Sequence, residues 1–107
     1  MNDREMLKFA AKAARVGGGW EFIGGPKNSP CYRGADGRIW NPRDDDGDSF
    51  RLMVALRLPI RDGLNGTVQT GDERSGWPIW ELWGDDPRAA TRLAIFRAAV
   101  EIGRAME

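Results

Sequence analysis

The chain of 107 residues is long enough for one folded domain, and its 41% hydrophobic and 30% charged residues are ordinary values for a globular protein. Its 16 basic and 16 acidic residues cancel, so no surplus of positive charge favours binding to duplex nucleic acid. Histidine is absent and Cys31 is the single cysteine, which excludes an internal disulfide, the usual histidine-based triads and histidine-containing zinc sites.

The first residues, the hydropathy pattern and the cysteine content predict the cellular compartment of the protein. No run of about 18 apolar residues predicts a membrane span. The first five residues are mostly charged and lead into an amphipathic segment, unlike a secretory leader. A lone cysteine suits a reducing compartment. We therefore expect a cytoplasmic protein with one domain over residues 1–107.

The first segment, residues 3–16, has the apolar spacing of a helix, with Asp3 as its N-cap. Gly17-Gly18-Gly19 is expected to end this helix, because a left-handed residue after a helix favours glycine. Alanines dominate the apolar face and predict close packing against a sheet. The face consists of Met6, Leu7, Ala10, Ala11, Ala13 and Ala14.

Short extended segments follow at 20–23, 31–33 and 38–40. The last two are joined through Asp36-Gly37, which predicts a hairpin. Trp40-Asn41-Pro42 then turns the chain out of the sheet, and the acidic run Asp44–Asp48 precedes a second helix at about 47–57. We expect Asn41 or an aspartate to accept hydrogen bonds from the free N–H groups at that helix start.

The second helix carries a broad apolar stripe, which predicts burial against a sheet. Extended segments at 58–61, 67–70 and 77–83 follow it, with a polar loop at 71–76. The stripe consists of Phe50, Leu52, Met53, Val54, Ala55, Leu56 and Arg57.

The last helix is expected from Asp86, a natural N-cap, and Pro87, a natural first residue, to about residue 105. Arg97 and Glu101 are spaced to pair along it. The predicted core side carries Leu93, Ile95, Phe96, Ala99, Val100, Ile102, Gly103 and Met106. The order helix, small sheet, helix, strands, helix predicts the α+β class, with a small, largely antiparallel sheet flanked by about three helices.

The acidic run is the first candidate for a metal site. An EF-hand loop beginning at Asp44 would place Ala55 at the twelfth position, where a glutamate ligand is needed, and Gly47 at the fourth position instead of the sixth. A looser Mg²⁺ site stays open as an alternative, while a solvated helix start is the favoured interpretation. Cys31 lacks a histidine partner, so burial is favoured over a nucleophilic role. We expect no metal and no cofactor.

The aromatic residues and arginines are the candidates for binding. Thirteen of the 16 basic residues are arginine, which recognises phosphates and carboxylates better than lysine does. Trp77 and Trp83 should share one face of a strand while Trp80 points to the other, so one face exposes tryptophan unless helices cover both. Exposed aromatic rings near arginines are typical of sites that stack a base or anchor a protein. The candidate binding residues are Arg33, Arg38, Trp40, Arg51, Trp80 and Trp83.

Two of these candidates make a sharper prediction. Arg33 and Arg38 flank the Asp36-Gly37 turn and are expected to lie opposite one another on adjacent strands. Two guanidinium groups on one face repel unless an anion lies between them. Glu21 or Asp36 is the alternative partner that would neutralise one of them.

Two blocks of the sequence carry a resemblance to a known family. One runs from Trp40-Asn41-Pro42 through the acidic run to Arg51-Leu52, and the other covers 86–104, with Ala90-Thr91-Arg92 near its start. Together they resemble small phage and prophage proteins with a WNP-x-x-DDGD-x-x-R-L centre and an ATR-x-AI-x-RAA-x-EIG end, which are similar to phage ABA sandwich domains. The resemblance implies helices flanking a small sheet in a phage accessory protein.

Three functions follow as hypotheses. The first is a non-enzymatic phage protein that counteracts host antiviral defence by sequestering a nucleotide immune signal, such as a cyclic nucleotide or an ADP-ribose derivative, between subunits of a homo-oligomer. The second is a protein-binding inhibitor of a bacterial immune effector, of the anti-CRISPR type. The third is a small enzyme using Asp45, Asp46 or Asp48, or a phage structural or replication accessory protein.

Overall fold

A computed structural model describes residues 2–16, 21–24, 30–34, 37–76 and 78–106. The helices and strands follow one another in the predicted order. The predicted α+β class is therefore confirmed. A short 3-10 turn, Glu73–Ser75, lies inside the predicted polar loop. The elements are α1 (Asp3–Ala14), β1 (Glu21–Gly24), β2 (Pro30–Arg33), β3 (Ile39–Trp40), α2 (Asp46–Leu56), β4 (Arg61–Asp62), β5 (Thr67–Thr70), β6 (Ile79–Leu82) and α3 (Pro87–Ala105).

The described strands form two antiparallel sheets of three strands each, and α2 separates them in the sequence. β1, β2 and β3 pair in chain order in the first sheet, and β4, β5 and β6 do so in the second. The predicted hairpin between β2 and β3 is confirmed, and Gly37 has the positive φ of 85° that its turn requires. Each sheet therefore consists of strands that are neighbours in the sequence.

The C-terminal helix α3 is the centre of the packing, with contacts to α1, α2, β5 and β6. Its predicted start is confirmed, because the Asp86 carboxylate accepts a hydrogen bond from the Ala89 N–H at 3.1 Å and Pro87 is the first helical residue. Phe96 is fully buried, whereas Leu93 is only half-buried. The buried residues of α3 are Ala94, Ile95, Phe96, Ala98, Ala99, Val100, Ile102 and Gly103.

The ion pairs of α3 differ from the predicted one. Arg97 does not pair with Glu101. It pairs instead with Glu81 of β6, and Glu101 pairs with Arg104 at 3.3 Å. Arg97 points toward the second sheet because β6 packs against its side of the helix. The prediction from helical spacing alone was wrong because a partner from another element lies closer.

Helix α1 packs mainly against α3, not against a sheet as its alanines had suggested. Its N-cap is Asn2, whose side chain accepts a hydrogen bond from the Glu5 N–H at 2.8 Å, so Asp3 is the first helical residue instead of the cap. The left-handed residue that follows the helix is Arg15, with φ 57°, in place of the expected glycine. Gly17-Gly18-Gly19 lies outside the described residues.

The two helices α1 and α3 approach each other closely at one glycine. A Cβ atom added at Gly103 would overlap the carbonyl group of Phe9, whose carbon atom lies 2.6 Å from the ideal Cβ position. Leu7 and Ala10 of α1 are fully buried in the same core as Phe96 and Ala99. Small residues thus let the two backbones meet.

The acidic run forms the start of α2, as predicted. Asp45 is the N-cap and accepts a hydrogen bond from the Asp48 N–H at 2.8 Å. The buried Asp48 carboxylate accepts a hydrogen bond from the Asn41 N–H at 2.9 Å, and Asn41 in turn accepts one from the Asp44 N–H at 3.3 Å. These bonds satisfy backbone N–H groups on both sides of the turn at Pro42.

The apolar stripe of α2 is buried on one side only. Leu52 and Leu56 lie in the core, but Phe50 is 61% exposed and Val54 is 54% exposed. The prediction that the whole stripe is buried is therefore wrong. The stripe covers too much of the helix circumference for one packing surface, so its second side faces outward.

Of the strands after α2, β5 has the predicted bounds, whereas the other two are shorter than predicted. Leu58 is buried but not in a strand, because its N–H donates to the Met53 carbonyl at the end of α2, and Pro59 has no N–H to offer a neighbouring strand. Strand β4 therefore begins at Arg61. Strand β6 covers only the middle of the predicted 77–83 segment, and Trp77 lies outside the described residues. No helix among the described residues has the length and apolarity needed to cross a bilayer.

Candidate binding groove

A groove of about 570 Å³ lies between the first turns of α2 and α3. Trp83, which directly follows β6, and Ile60, which precedes β4, complete its walls. The lining residues are Asp46, Ser49, Phe50, Met53, Ile60, Trp83, Pro87, Arg88, Thr91, Arg92 and Ile95. Two helix starts and the end of an edge strand thus meet at one surface.

Part of the groove lining is aromatic and apolar. Phe50 is 61% exposed, Ile60 is 38% exposed, and Met53 and Trp83 are half-buried. Large apolar side chains of this kind normally lie inside a protein, and an exposed cluster of them marks a surface that binds something. The flat rings of Phe50 and Trp83 are suited to contact a planar group.

The groove lining also carries three charged groups, Asp46, Arg88 and Arg92. The Asp46 carboxylate accepts a hydrogen bond from Arg92 at 2.5 Å and another from Arg88 at 3.3 Å. Arg92 also donates through Nε to the Arg43 carbonyl at 3.0 Å. The three formal charges sum to +1, so the groove favours an anion.

The two arginines have different roles. The Arg92 side chain is 16% exposed and holds the Asp46 carboxylate and the turn at Arg43, so it fixes the start of α2 against α3. The Arg88 side chain is 81% exposed and its contact with Asp46 is long. An exposed ion pair contributes little stability, so Arg88 can turn to another anion at little cost.

Ser49 is also a lining residue, but its side-chain oxygen is buried and has no hydrogen-bond partner in the part of the chain that the structure describes. An unsatisfied buried polar group costs about 1–3 kcal/mol. The group that the groove offers to a ligand besides its apolar rings is therefore the exposed Arg88 side chain.

The first sheet holds Arg33, Arg38 and Trp40, and it does not bring the two arginines opposite one another. Arg33 is paired with Ile39 across β2 and β3, and the Gly34 N–H donates to the Arg38 carbonyl at 2.8 Å. Because side chains alternate along a strand, Arg33 and Arg38 face opposite sides of the sheet. The prediction of two facing guanidinium groups is therefore wrong, and it failed by one residue of register.

The alternative prediction for Arg33, neutralisation by Glu21, is confirmed. Its side chain pairs with Glu21 on the neighbouring strand at 3.6 Å. Trp40 is half-buried, stacks on Tyr32 with ring centres 6.3 Å apart, and packs against the main core. Trp40 therefore has a structural role in the first sheet.

The remaining predicted residues lie on α2, on β6 and directly after β6. Arg51 of α2 pairs with Asp48 at 2.6 Å, so it supports the helix start. Trp80 is 52% exposed on β6, which confirms that one face of this strand exposes a tryptophan. Trp83 is the only one of the six predicted residues that lines the groove. Trp20 and Trp77 lie outside the described residues.

Cys31 and the acidic run have structural environments. Burial is the main cause that raises the pKa of the Cys31 thiol, and its sulfur lies 3.5 Å from the Ile23 carbonyl oxygen. A protonated, buried thiol is a poor nucleophile. The described residues contain no group of three or more side chains that could hold a metal ion.

Sequence reasoning missed Phe50, Met53, Ile60 and Arg88. Phe50 was assigned to the core because its spacing fits an apolar helix face. The missed signal was the width of the stripe on α2, which one packing surface does not cover. Arg88 carries no local signal, because only the approach of α2 to α3 places it beside Phe50.

Comparisons with family models, with curated proteins and with solved structures give no match to this chain. Function therefore has to be argued from the groove.

Proposed function

We propose that this chain is a non-catalytic binding protein whose groove holds a ligand with a planar ring and an anionic group, the chemistry of a nucleotide. The observation that carries the proposal is the groove itself, whose lining combines the exposed Phe50 and the half-buried Trp83 with the exposed Arg88. In a phage setting such a protein would counteract host defence by sequestering a nucleotide immune signal. That setting depends on the motif resemblance at 40–52 and 86–104.

The apolar residues of the lining support a ring-shaped ligand. Stacking of a base on an aromatic side chain contributes about 1–3 kcal/mol per base. Phe50 and Trp83 both line the groove, so either ring is available to contact a planar group. Met53 and Ile60 would then exclude water from its edges.

The charged residues of the lining support a ligand whose ring carries an anionic group. Arginine binds phosphate through two parallel N–H donors, and such charge-assisted bonds are about twice as strong as neutral ones. Arg88 is exposed and bound to Asp46 only through a 3.3 Å contact, whereas Arg92 remains to neutralise Asp46 at 2.5 Å. Arg88 can therefore move to a phosphate without leaving a carboxylate unpaired.

The same cluster supports binding over catalysis. Asp46 is the one carboxylate among the described lining residues, and each of its two oxygens accepts a hydrogen bond from an arginine. Its oxygens are therefore engaged within the protein and are not presented to a reacting group.

The direct test is titration with cyclic dinucleotides, cyclic oligonucleotides and ADP-ribose, followed by calorimetry, tryptophan fluorescence and melting temperature. We expect quenching of Trp83 and a higher melting temperature, because a ligand at 100 times its Kd adds about 2.7 kcal/mol. Phe50→Ala and Arg88→Gln should each weaken binding about tenfold or more, in line with about 1.4 kcal/mol per lost contact.

Two matched controls separate the groove from general surface effects. Val54→Ala removes an exposed apolar side chain one turn further along α2, and Arg104→Gln removes an exposed arginine from the far end of α3. Neither residue lines the groove, so both should leave the affinity unchanged. Bound nucleotide should be recovered intact after denaturation, which distinguishes sequestration from hydrolysis.

If none of these nucleotides at about 100 μM alters fluorescence or melting temperature, the nucleotide function is wrong. Inhibition of an immune effector through protein contact is the second candidate. It is favoured by the exposed apolar residues outside the groove, Val54, Leu64, Trp80 and Leu82. A host protein that co-purifies with the wild type but not with variants at those residues would establish it.

A further inference from the structure

The outer strand of the second sheet has a second unexplained apolar surface. Trp80 is 52% exposed and Leu82 is 66% exposed on the face of β6 that points away from α3. The residues between and beside them, Glu81 and Ile79, are half-buried on the other face. A half-covered antiparallel sheet normally has polar residues on its open face, so the two exposed apolar residues of β6 depart from that pattern.

Certain backbone N–H and C=O groups of β6 point away from β5, toward the outer edge of the sheet. Leu82 is paired with Thr67 of β5, and the Trp83 N–H donates to the Gly66 carbonyl at 2.8 Å. This bond identifies Leu82 and Thr67 as a pair that does not exchange hydrogen bonds, so the N–H and C=O of Leu82 point away from β5. By alternation, those of Trp80 do the same, and the Trp80 carbonyl accordingly lies 3.4 Å from an Arg97 donor.

Trp80 and Leu82 thus expose their side chains on the open face of the sheet and direct their backbone N–H and C=O groups away from β5. Within the described part of the chain, β6 is the last strand of the order β4-β5-β6. Natural edge strands usually carry a lysine, a proline or a bulge that prevents another strand from pairing with them. In β6 the only charge is Glu81, and it is paired with Arg97 on the face that packs toward α3.

We propose that β6 forms the interface of a symmetric dimer, in which it pairs antiparallel with β6 of a second copy. Only one register suits both chains. Centring the pair on Glu81 places Trp80 opposite Leu82 of the second copy and lets all four outward-facing residues exchange hydrogen bonds. The Trp80 carbonyl oxygen, which has two lone pairs, would then be shared between Leu82 of the second copy and the Arg97 donor at 3.4 Å. Centring the pair on Trp80 would oppose Leu82 to Pro78, which has no N–H, and centring it on Leu82 would oppose Trp80 to Gly84, where φ is 58° and the strand has ended.

Side chains and charges agree with this register. The two tryptophans and two leucines meet as cross-strand neighbours on one face, where aromatic and aliphatic pairs stabilise a sheet. On the opposite face the two Glu81 carboxylates lie opposite each other, and each keeps its own Arg97 as a partner, so the repulsion between the carboxylates is offset within each copy. The surface is therefore complementary to itself, which is what a two-fold interface requires.

The first test measures association by sedimentation velocity from about 1 to 300 μM. The wild type should form dimers with increasing concentration, and Leu82→Lys should weaken the association at least tenfold. Leu64→Lys is the matched control, since Leu64 is 83% exposed in the β4–β5 turn and makes the same change of charge away from β6. Circular dichroism at low concentration checks that both variants fold.

Hydrogen exchange resolved by NMR locates the interface independently of the mutations. Amides of Trp80 and Leu82 should gain protection with rising protein concentration, whereas those of Ile79 and Glu81, which point to β5, should be protected at every concentration. A chain that stays monomeric at 300 μM overturns the proposal. So does a dimer that persists in Leu82→Lys, or a different protein that occupies β6 while the chain itself remains a monomer.

Discussion

The contact between α1 and α3 and the outer sides of α2 and β6 use apolar residues in opposite ways. Where the two helices meet, Ala10, Ala13 and Gly103 are buried and the backbones come within contact. On the outer sides, Phe50 and Trp80 are more than half exposed. Small residues line the close approach of the two helices, whereas some of the largest apolar residues lie where nothing in the described chain covers them. Residue size alone is thus a poor guide to the core of this protein, and the exposed large residues are the ones that function can use.

Two phenylalanines provide the largest test of this contrast. Phe96 of α3 is fully buried, and Phe50 of α2 is 61% exposed. Phe96→Ala should lower the free energy of unfolding by about 3–5 kcal/mol, because it removes a buried ring and leaves a cavity. Phe50→Ala should cost less than about 1 kcal/mol, since most of that ring is already in water.

Urea unfolding of both variants followed by circular dichroism gives the two values. Equal losses for the two substitutions would mean that Phe50 is covered in solution, by a second copy or by another segment. In that case the groove would not be open to a ligand, and the proposed nucleotide site would be excluded together with the contrast.

The part of the fold that sequence could predict is the part governed by local signals. Asp86-Pro87 determines where α3 begins, the aspartates at 45 and 48 determine where α2 begins, and a glycine turn joins β2 to β3. Each depends on hydrogen bonds within a few residues. Local chemistry therefore gave the element order and the α+β class.

The part that failed depends on which elements meet. Spacing along α2 does not reveal that its packing partner reaches Leu52 but not Phe50. Register between β2 and β3 moved Arg33 and Arg38 to opposite faces, because a shift of one residue reverses every side chain. Arg88 joined the groove only through the approach of two helix starts. A binding site assembled from four elements has no continuous signature in the sequence.

The close approach at Gly103 should produce the next largest effect. Gly103→Ala places a methyl group against the Phe9 carbonyl, so α1 and α3 must separate. We expect a loss of about 1–3 kcal/mol from overpacking, although alanine favours a helix over glycine by about 1 kcal/mol. Arg104→Ala, at the neighbouring exposed position, should change stability by less than about 0.5 kcal/mol. A more stable Gly103→Ala variant in thermal or urea unfolding would contradict the tight contact.

The smallest effect should come from the turn before β6, where surface hydrogen bonds and not packing connect α2 to the second sheet. Asp72 caps the 3-10 turn and accepts from Arg74 at 2.6 Å, and Arg74 also donates to the Leu56 carbonyl at 2.5 Å, at the end of α2. Hydrogen bonding from the Arg74 side chain is the main cause that lowers the pKa of Asp72 below its usual value. A carboxylate with a depressed pKa stabilises the folded state above the unfolded pKa of about 3.9, and this contribution is lost as the pH falls through the folded pKa.

Asp72→Asn tests that contribution with little change of capping, because asparagine is as good a cap as aspartate. Both side chains are partly exposed, so the variant should lose only about 0.2–1 kcal/mol at pH 7. The difference in stability between the two proteins should shrink as the pH falls through the folded pKa of Asp72, because both then carry a neutral side chain at this position. Urea midpoints measured from pH 7 to pH 2 give the comparison directly. If the difference did not shrink by pH 2, it would come from packing or capping and not from the charge. The connection of α2 to the second sheet would then be held by packing, as the α1–α3 contact is.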